Sequence, residues 1–376
     1  MANYSVPNTV TYSGEELARI KNESLVPGEE LEILRKKADG YLSMPTLATV
    51  YKKLIPPSGD PHDYMSMGPY WWPNPDTPDG LPYVRRDGLR NPETKEPNNY
   101  GEVASRVHTL ALAAYHFDEP AYAKKACDLI YDWHVNPETK MNPHANYGQS
   151  IPGICTGRGI GLIEFAGSSS MFNGIEILKA MGEISDSLLA EVKEWYNSFI
   201  NWMITSEIGL AEDVYFNNHG SWYDVQVLAA ATFLERPTLA KRVYTLAYGR
   251  RHKTQVEKNG AQPHELARTK GLCYSMYNLN ALISIAIMAK KHGFDKYLEP
   301  DEDYGVVLIR EALDYIYPFA MQPETFPYQE LTPAHAKESI VPILHTMDTL
   351  FPGEGYKEKA EALTTPEMLL HIRPFA

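Results

Sequence analysis

The chain has 376 residues, 44% of them hydrophobic and 22% charged, a balance that supports a sizeable packed core and excludes a mostly disordered protein. Its 48 acidic residues outnumber 35 basic ones and leave a formal net charge of −13, which removes the basic field that a nucleic-acid partner requires. An anionic polymer could bind such a body only through a local basic pocket, so the positions of single arginines matter more than their number.

The first residues, Met1-Ala2-Asn3-Tyr4-Ser5, carry neither the basic nor the apolar region of an export signal, and no run of about 18 apolar residues is expected to span a bilayer. A cytoplasmic protein and a mature exported chain both fit, and no membrane partner is expected. A helix is predicted from about Pro27 to Leu42. Prolines then recur from Pro56 to Pro97, too densely for a helix or a central strand, so residues 55–99 are predicted as a long functional loop. It carries Met67-Gly68-Pro69-Tyr70-Trp71-Trp72-Pro73-Asn74-Pro75, in which Tyr70, Trp71 and Trp72 read as an aromatic wall for sugar rings or as a plug against the body.

From Glu102 onward the pattern is helical. Val103, Val107, Leu110 and Ala114 fall three or four residues apart, as do Tyr122, Ala126, Leu129 and Trp133, with a turn at Asp118-Glu119-Pro120 between them. Leu189, Val192, Tyr196, Phe199 and Met203 repeat the spacing in a second pair, over 168–182 and 186–205. Further helices are predicted at 219–234, 237–248, 272–292, 305–317, 335–350 and 355–363. Alternating strands and helices are missing, so the predicted fold class is all-α: an (α/α) barrel or toroid of antiparallel helical hairpins, forming a single domain over residues 1–376.

Two loops between helices stand out. One is the amide- and glycine-rich stretch 142–159, with Gln149 and the lone Arg158. The other, 249–264, holds Arg250, Arg251, His252 and Lys253, a concentration of positive charge on an acidic chain. Cys127, Cys155 and Cys273 form no paired pattern and are expected as small buried residues rather than a disulfide frame or zinc site.

The polar groups gather in two segments, Phe216-Asn217-Asn218-His219-Gly220-Ser221-Trp222-Tyr223 and Glu265-Leu266-Ala267-Arg268-Thr269-Lys270-Gly271-Leu272-Cys273-Tyr274, each where a helix begins after a loop. No histidine pair sits at ligand spacing beside a carboxylate, so no metal or other cofactor is expected. Were the substrate a uronic-acid polymer and the reaction β-elimination, the C5 carboxylate would have to be neutralised, C5 would need a base, and O4 an acid. Asn218, His219 and Arg268 suit the first task. Tyr274 suits the other two where H5 and O4 share a face of the ring, because a nearby arginine favours its phenolate; His219 could be the base where they do not. Each has a plainer reading: an Asn-His that caps a helix, an Arg268–Glu265 pair on a solvated face, and a core tyrosine.

Four segments in order, MGPYWWPNP, NYGQSIPGICTGRGIG, NNHGSWYDVQ and QPHELARTKGLCYSMYNLNAL, resemble the alginate-lyase domain, and more specifically polysaccharide lyase family 38, over about residues 60–330. The resemblance implies an (α/α) barrel, metal-free β-elimination of β-1,4-linked polyuronates, and a His/Tyr catalytic pair at His219 and Tyr274. The related family 5 lyases add an Asn-His pair and an Arg followed by Tyr, matched here by Asn218-His219 and by Arg268 with Tyr274, although the spacing from Arg268 to Tyr274 is one residue shorter. By the same resemblance Trp71, Trp72, Gln149 and Arg158 are groove residues, and Tyr70, Asn217, Trp222 and Tyr277 are grouped with them as substrate-binding. Members of the family are usually exported. The expected partner is an acidic polysaccharide, mannuronate-rich alginate first and glucuronan second. Competing readings are a glycoside hydrolase using two of Asp213, Asp224 and Glu265, and a sugar-binding protein that turns nothing over.

Overall fold

Hydrophobic residues at helical spacing, punctuated by Pro, Gly and Asn, fold as a succession of helices in the computed structural model, which describes residues 4–365 and Met368. The ends of the expected 1–376 domain, residues 1–3, 366–367 and 369–376, lie outside the described residues. The helices gather into two compact units. One is built from the chain up to Leu25 and Leu34–Val214, the other from Val26–Ile33 and the chain from Tyr215 onward.

In the first unit α1 (Gly14–Asn22) precedes α2 (Gly28–Ser43), whose opening residues belong to the second unit. Helix α1 was not predicted, although Ser13 accepts from the Glu16 amide in the Ser-x-x-Glu order of a capping box. Next come α3 (Tyr100–Phe117) and α4 (Pro120–His134), an antiparallel pair turned at Asp118, which adopts φ 53. Val103, Val107, Leu110 and Ala114 of α3 are buried, and α3 packs against both α4 and α5 (Ser168–Met181). The pair is closed by α6 (Asp186–Thr205), followed after Ser206 by the unpredicted α7 (Glu207–Asp213). Ser206 ends one helix and caps the other, accepting from the Gly209 amide, so the break leaves no loop in the sequence to see.

The proline-rich segment 55–99 is mostly irregular, as expected, with short pairings inside it. Strand β1 (Met65–Met67) runs parallel to β4 (Tyr147–Ser150), with Met67 opposite Ser150, while β2 (Trp71–Trp72) is antiparallel to β3 (Val84–Arg85), with Trp71 opposite Arg85.

The second unit contains α8 (Asn218–Phe233), α9 (Pro237–Ala247), the single turn α10 (Pro263–Leu266), α11 (Gly271–Lys291), α12 (Leu308–Met321), α13 (Ala336–Leu350) and α14 (Tyr356–Glu361). Helix α11 is its centre, packing against α8, α12 and α13. Among the described residues α11 is the helix long and apolar enough to cross a membrane, which corrects the expectation that no such run exists. Its apolarity serves a core helix, since most of it is buried inside the protein. Helix α12 continues past the predicted end at 317 through Pro318, because a proline near a helix C-terminus forfeits only one rung of hydrogen bonds.

The core of the first unit holds a directed chain of hydrogen bonds. His134 Nδ1 lies 2.9 Å from the Ile130 carbonyl and Nε2 2.9 Å from the Tyr196 hydroxyl, which is 2.7 Å from that of Tyr100. A carbonyl only accepts, so Nδ1 carries the proton, Tyr196 donates to Nε2 and Tyr100 donates to Tyr196. Burial holds His134 down at about 4, below its ordinary 6.5. His108, His116 and His252 are held at about 4 by burial as well. The unfolded chain therefore binds these protons at higher pH than the folded one, so the stability they contribute is complete above the unfolded value and is lost as pH falls toward 4. Melting temperature should fall over that window. His134→Gln, less stable throughout, should show a shallower fall, its share being on the order of 3 kcal/mol.

Candidate active site

The first turn of α8 is organised by two residues with different tasks. Asn217 is the N-cap: its Oδ1 accepts from the His219 amide at 3.1 Å, and its carbonyl accepts from the Ser221 amide at 3.3 Å. Asn217 is thus committed to the helix end. Asn218, next in line, donates its backbone N–H to Glu265 Oε1 at 2.6 Å and its side-chain Nδ2 to Oε2 at 2.8 Å. Both residues are 1% exposed. Burial raises the Glu265 carboxyl above its ordinary range, against the opposing pull of the two Asn218 hydrogen bonds and of Arg268 and His219. Glu265 lies neither on a solvated face, as the Arg268–Glu265 reading has it, nor free as a hydrolase carboxylate; it is a buried clamp on the Asn218 carboxamide.

Gly220 has a packing reason. A Cβ there would meet the Tyr215 carbonyl and the Arg251 guanidinium. Arg251 donates from Nη1 to Tyr215 O at 2.8 Å and from Nε to Asp224 Oδ2 at 2.8 Å, tying the loop before α8 to the helix itself. The absence of a side chain at Gly220 lets that tie form.

Across this unit, Arg268 stands with its guanidinium carbon 4.1 Å from the centroid of the Tyr274 ring. The one-residue difference in spacing therefore does not separate them. Tyr274 is half-buried in the first turn of α11, not a core residue. That turn is held from outside: Gly271 N donates to Gln329 O at 3.0 Å, Cys273 N to Glu330 Oε2 at 3.0 Å, and Leu331 N to Thr269 O at 3.1 Å. Behind it, Asn278 Nδ2 reaches Gln255 Oε1 at 2.9 Å and Gln262 Oε1 at 2.8 Å, and Ser221 Oγ donates to the same Gln255 oxygen at 3.0 Å. Buried amides thereby link α8 to α11. Trp222 and Tyr277 pack with ring centroids 5.0 Å apart, and Trp222 is buried, which leaves Tyr277 as the more accessible of the two.

The first unit assembles a second group. Arg158 donates from Nε to the Gln149 carbonyl at 3.0 Å and from Nη2 to Gln149 Oε1 at 2.9 Å, with its guanidinium carbon 5.8 Å from the Trp71 ring centroid. Gln149 itself sits at φ 48 and donates its amide to Ser66 Oγ at 2.8 Å. Ser66 and Tyr64 both donate to Glu164 Oε2, at 2.6 and 2.8 Å. Burial raises Glu164, with Arg158 among the charges opposing the rise. Sequence reading missed Glu164 because its partners lie about a hundred residues away. The glycines of the same stretch permit a close crossing: a Cβ on Gly161 would stand 2.5 Å from the Gly148 carbonyl carbon. Trp72 donates from its indole to Leu89 O at 3.0 Å, and the Tyr70 carbonyl accepts from the Arg86 amide at 2.8 Å; both rings are half-buried.

Several expectations need correction. Residues 248–253 form a π-helical turn continuing α9, and its charges are largely committed: Arg251 is buried against Asp224, and Lys253 pairs with Asp303 and stands 3.7 Å from Asp301. Arg251 is ion-paired because a buried charge demands a partner, while Lys253 pairs at the surface. Among the hydrolase candidates, Asp224 and Glu265 are engaged by Arg251 and Asn218, and Asp213 is the last residue of α7 in the first unit. All three cysteines are free as expected, but half-buried. Among the described residues, no group of three or more His, Cys, Asp or Glu side chains is arranged to hold a metal ion.

The fold has clear relatives. A family model described as Alginate lyase matches residues 48–326. The crystal structure of an alginate lyase from Bacteroides ovatus is similar to this chain at a TM-score of 0.93 and 35% sequence identity, covering 99% of this chain and 100% of that one. Alginate lyase A1-III from Sphingomonas species A1 aligns at a TM-score of 0.55 and 15% identity, over 90% of this chain and 94% of that one. A histidine-to-alanine variant of alginate lyase A1-III complexed with tetrasaccharide aligns at 0.58 and 13%, with the same coverage; at such identities the likeness is one of fold. No curated protein sequence matches. The protein is thus an all-α enzyme of the polysaccharide lyase class. It belongs to the alginate lyase family.

The Asn218–Glu265 clamp predicts a pH dependence. Ionised Glu265 accepts one N–H on each oxygen, and protonation removes the charge that strengthens both bonds and leaves the protonated oxygen the poorer acceptor. Because burial raises its pKa, kcat/KM should fall on the acid side at a pH above the ordinary carboxylate range. Glu265→Gln should remove that limb and lower kcat/KM by about tenfold or more, as expected for the loss of one charge-assisted hydrogen bond.

Proposed function

We propose that this enzyme cleaves mannuronate-rich alginate by β-elimination, with Tyr274 transferring the proton. The observation that supports the reading best is the placement of Asn218 and His219 in one turn, clamped by Glu265, with Arg268 lying over Tyr274 in the same unit.

The C5 proton of a uronate becomes removable when the charge that builds on its carboxylate in the transition state is met by donors. Asn218 keeps one amide hydrogen on Glu265 and has a second to offer. His219 and Arg268 supply the remaining positive or polar groups. Tyr274, as phenolate, takes the C5 proton; the C5–H electrons form the C4=C5 double bond; the C4–O4 bond breaks, and the same phenol returns the proton to O4. The Arg268 guanidinium over the ring favours the negative charge this cycle requires. One residue can serve as both base and acid because H5 and O4 lie on one face in mannuronate. Guluronate places them on opposite faces, where His219 would have to act as the base. No step calls for a cofactor.

Within the first unit, Arg158, Gln149 and Trp71 suit the holding of a uronate, the guanidinium for its carboxylate and the indole for its ring. Tyr70 and Trp72 extend the same role in that unit, while in the second unit Tyr277 suits a sugar ring and Asn217 and Trp222 act from beneath as support. Glucuronate shares the H5/O4 relationship and is the second candidate substrate.

Ultraviolet absorbance of the unsaturated uronate should rise with polymannuronate, and Tyr274→Phe should lower kcat by about 10³-fold while KM changes little. Retained turnover in that variant would remove Tyr274 from its role. A rise on glucuronan alone would transfer the assignment to that polymer, and new reducing ends without absorbance would mean hydrolysis. Arg158→Ala should raise KM by about tenfold or more with a smaller effect on kcat, as loss of a charge-assisted contact to substrate predicts.

A further inference from the structure

The loop immediately before α8 presents a ring that the chemistry above does not use. Phe216 is 60% exposed although it directly precedes the buried Asn217 and Asn218. Its backbone is not a loose tip. On one side Tyr215 O is held by Arg251, itself anchored on Asp224, and on the other Asn217 caps α8. The phenyl ring is braced edge-on by His264, with centroids 4.7 Å apart and planes at 60°, and lies nearly parallel to Tyr215 at 6.2 Å. Tyr215 in turn contacts the His219 ring at 5.5 Å. A row of rings thus runs from His219 through Tyr215 to Phe216 and His264, all within the second unit.

The geometry points to a sugar-binding subsite on Phe216 and His264, taking a pyranose ring of the polyuronate next to the one that reacts at His219 and Tyr274. The argument is chemical. The apolar C–H face of a pyranose stacks on an exposed phenyl, and the His264 imidazole beside it offers a polar edge to a uronate hydroxyl or carboxylate. A platform pinned by Arg251 has little freedom to lose on binding, which favours affinity. The inference rests on the lyase reading above.

The test is steady-state elimination on polymannuronate by the intact chain carrying Phe216→Ala or Phe216→Tyr. Phe216→Ala should raise KM about tenfold, and the ring-retaining Phe216→Tyr should restore it to within about twofold of wild type. Because Phe216 is exposed, both variants should melt with the wild type, which separates a binding loss from misfolding. An unchanged KM in Phe216→Ala, or an equal rise in both variants, overturns the subsite while wild-type elimination leaves the lyase reading standing. Absence of unsaturated product from the wild-type enzyme would bring down that reading and the subsite with it.

Discussion

The arrangement depends on one buried contact, the two hydrogen bonds by which Glu265 holds Asn218. The first N–H groups of a helix lack intrahelical partners, and a carboxylate at that end satisfies them and favours the helix dipole. Here the carboxylate also reaches the side-chain nitrogen, so it fixes both where α8 begins and which way the Asn218 carboxamide faces. An ionised group this deeply buried is costly unless fully bonded. Those bonds and the nearby Arg268 and His219 offset part of that cost, and burial still leaves the carboxyl raised above its ordinary range.

Around that contact, polar packing gives rigidity where an apolar core could not give orientation. Gln255, Gln262, Asn278 and Ser221 form a buried amide network between α8 and α11, so the helices bearing His219 and Tyr274 are joined by directional bonds. The network fixes the Asn278 nitrogen between two amide oxygens but leaves its Oδ1 buried without a hydrogen-bond partner. Arg251 and Asp224 do similar work for the preceding loop, and Gly220 is small so that they can. The first unit follows the same logic: Glu164 fixes Ser66, Ser66 receives the Gln149 amide, and Gln149 aligns Arg158. In each unit a buried carboxylate stands behind polar groups suited to a polyanion, which reconciles a strongly acidic chain with an acidic substrate.

Much of the fold was legible because helices announce themselves locally. The spacing of Val103, Val107, Leu110 and Ala114 records the face that α3 buries, and the Asn-His and Arg…Tyr segments mark helix starts. Helix α7 escaped because one serine serves as both end and cap, and α11 looked unremarkable although its apolarity marks the centre of its unit. What the sequence could not express was partnership at long range. Glu265 and Asn218 are 47 residues apart, and Glu164 and Ser66 are 98 apart. Charge alone said little at 250–253: the sequence shows a concentration of positive charge, and only the structure shows that Asp224, Asp301 and Asp303 take up Arg251 and Lys253.

The central claim is that Asn218, His219 and Arg268 surround the substrate's C5 carboxylate while Tyr274 faces its C5 proton. A crystal structure of Tyr274→Phe with a bound mannuronate oligomer tests it most directly. The account predicts a uronate whose carboxylate accepts from the Asn218 amide and lies beside His219 and Arg268, with C5 turned toward the edge of the substituted ring. A carboxylate bound away from Asn218, His219 and Arg268, with no sugar within reach of the ring at 274, would contradict it.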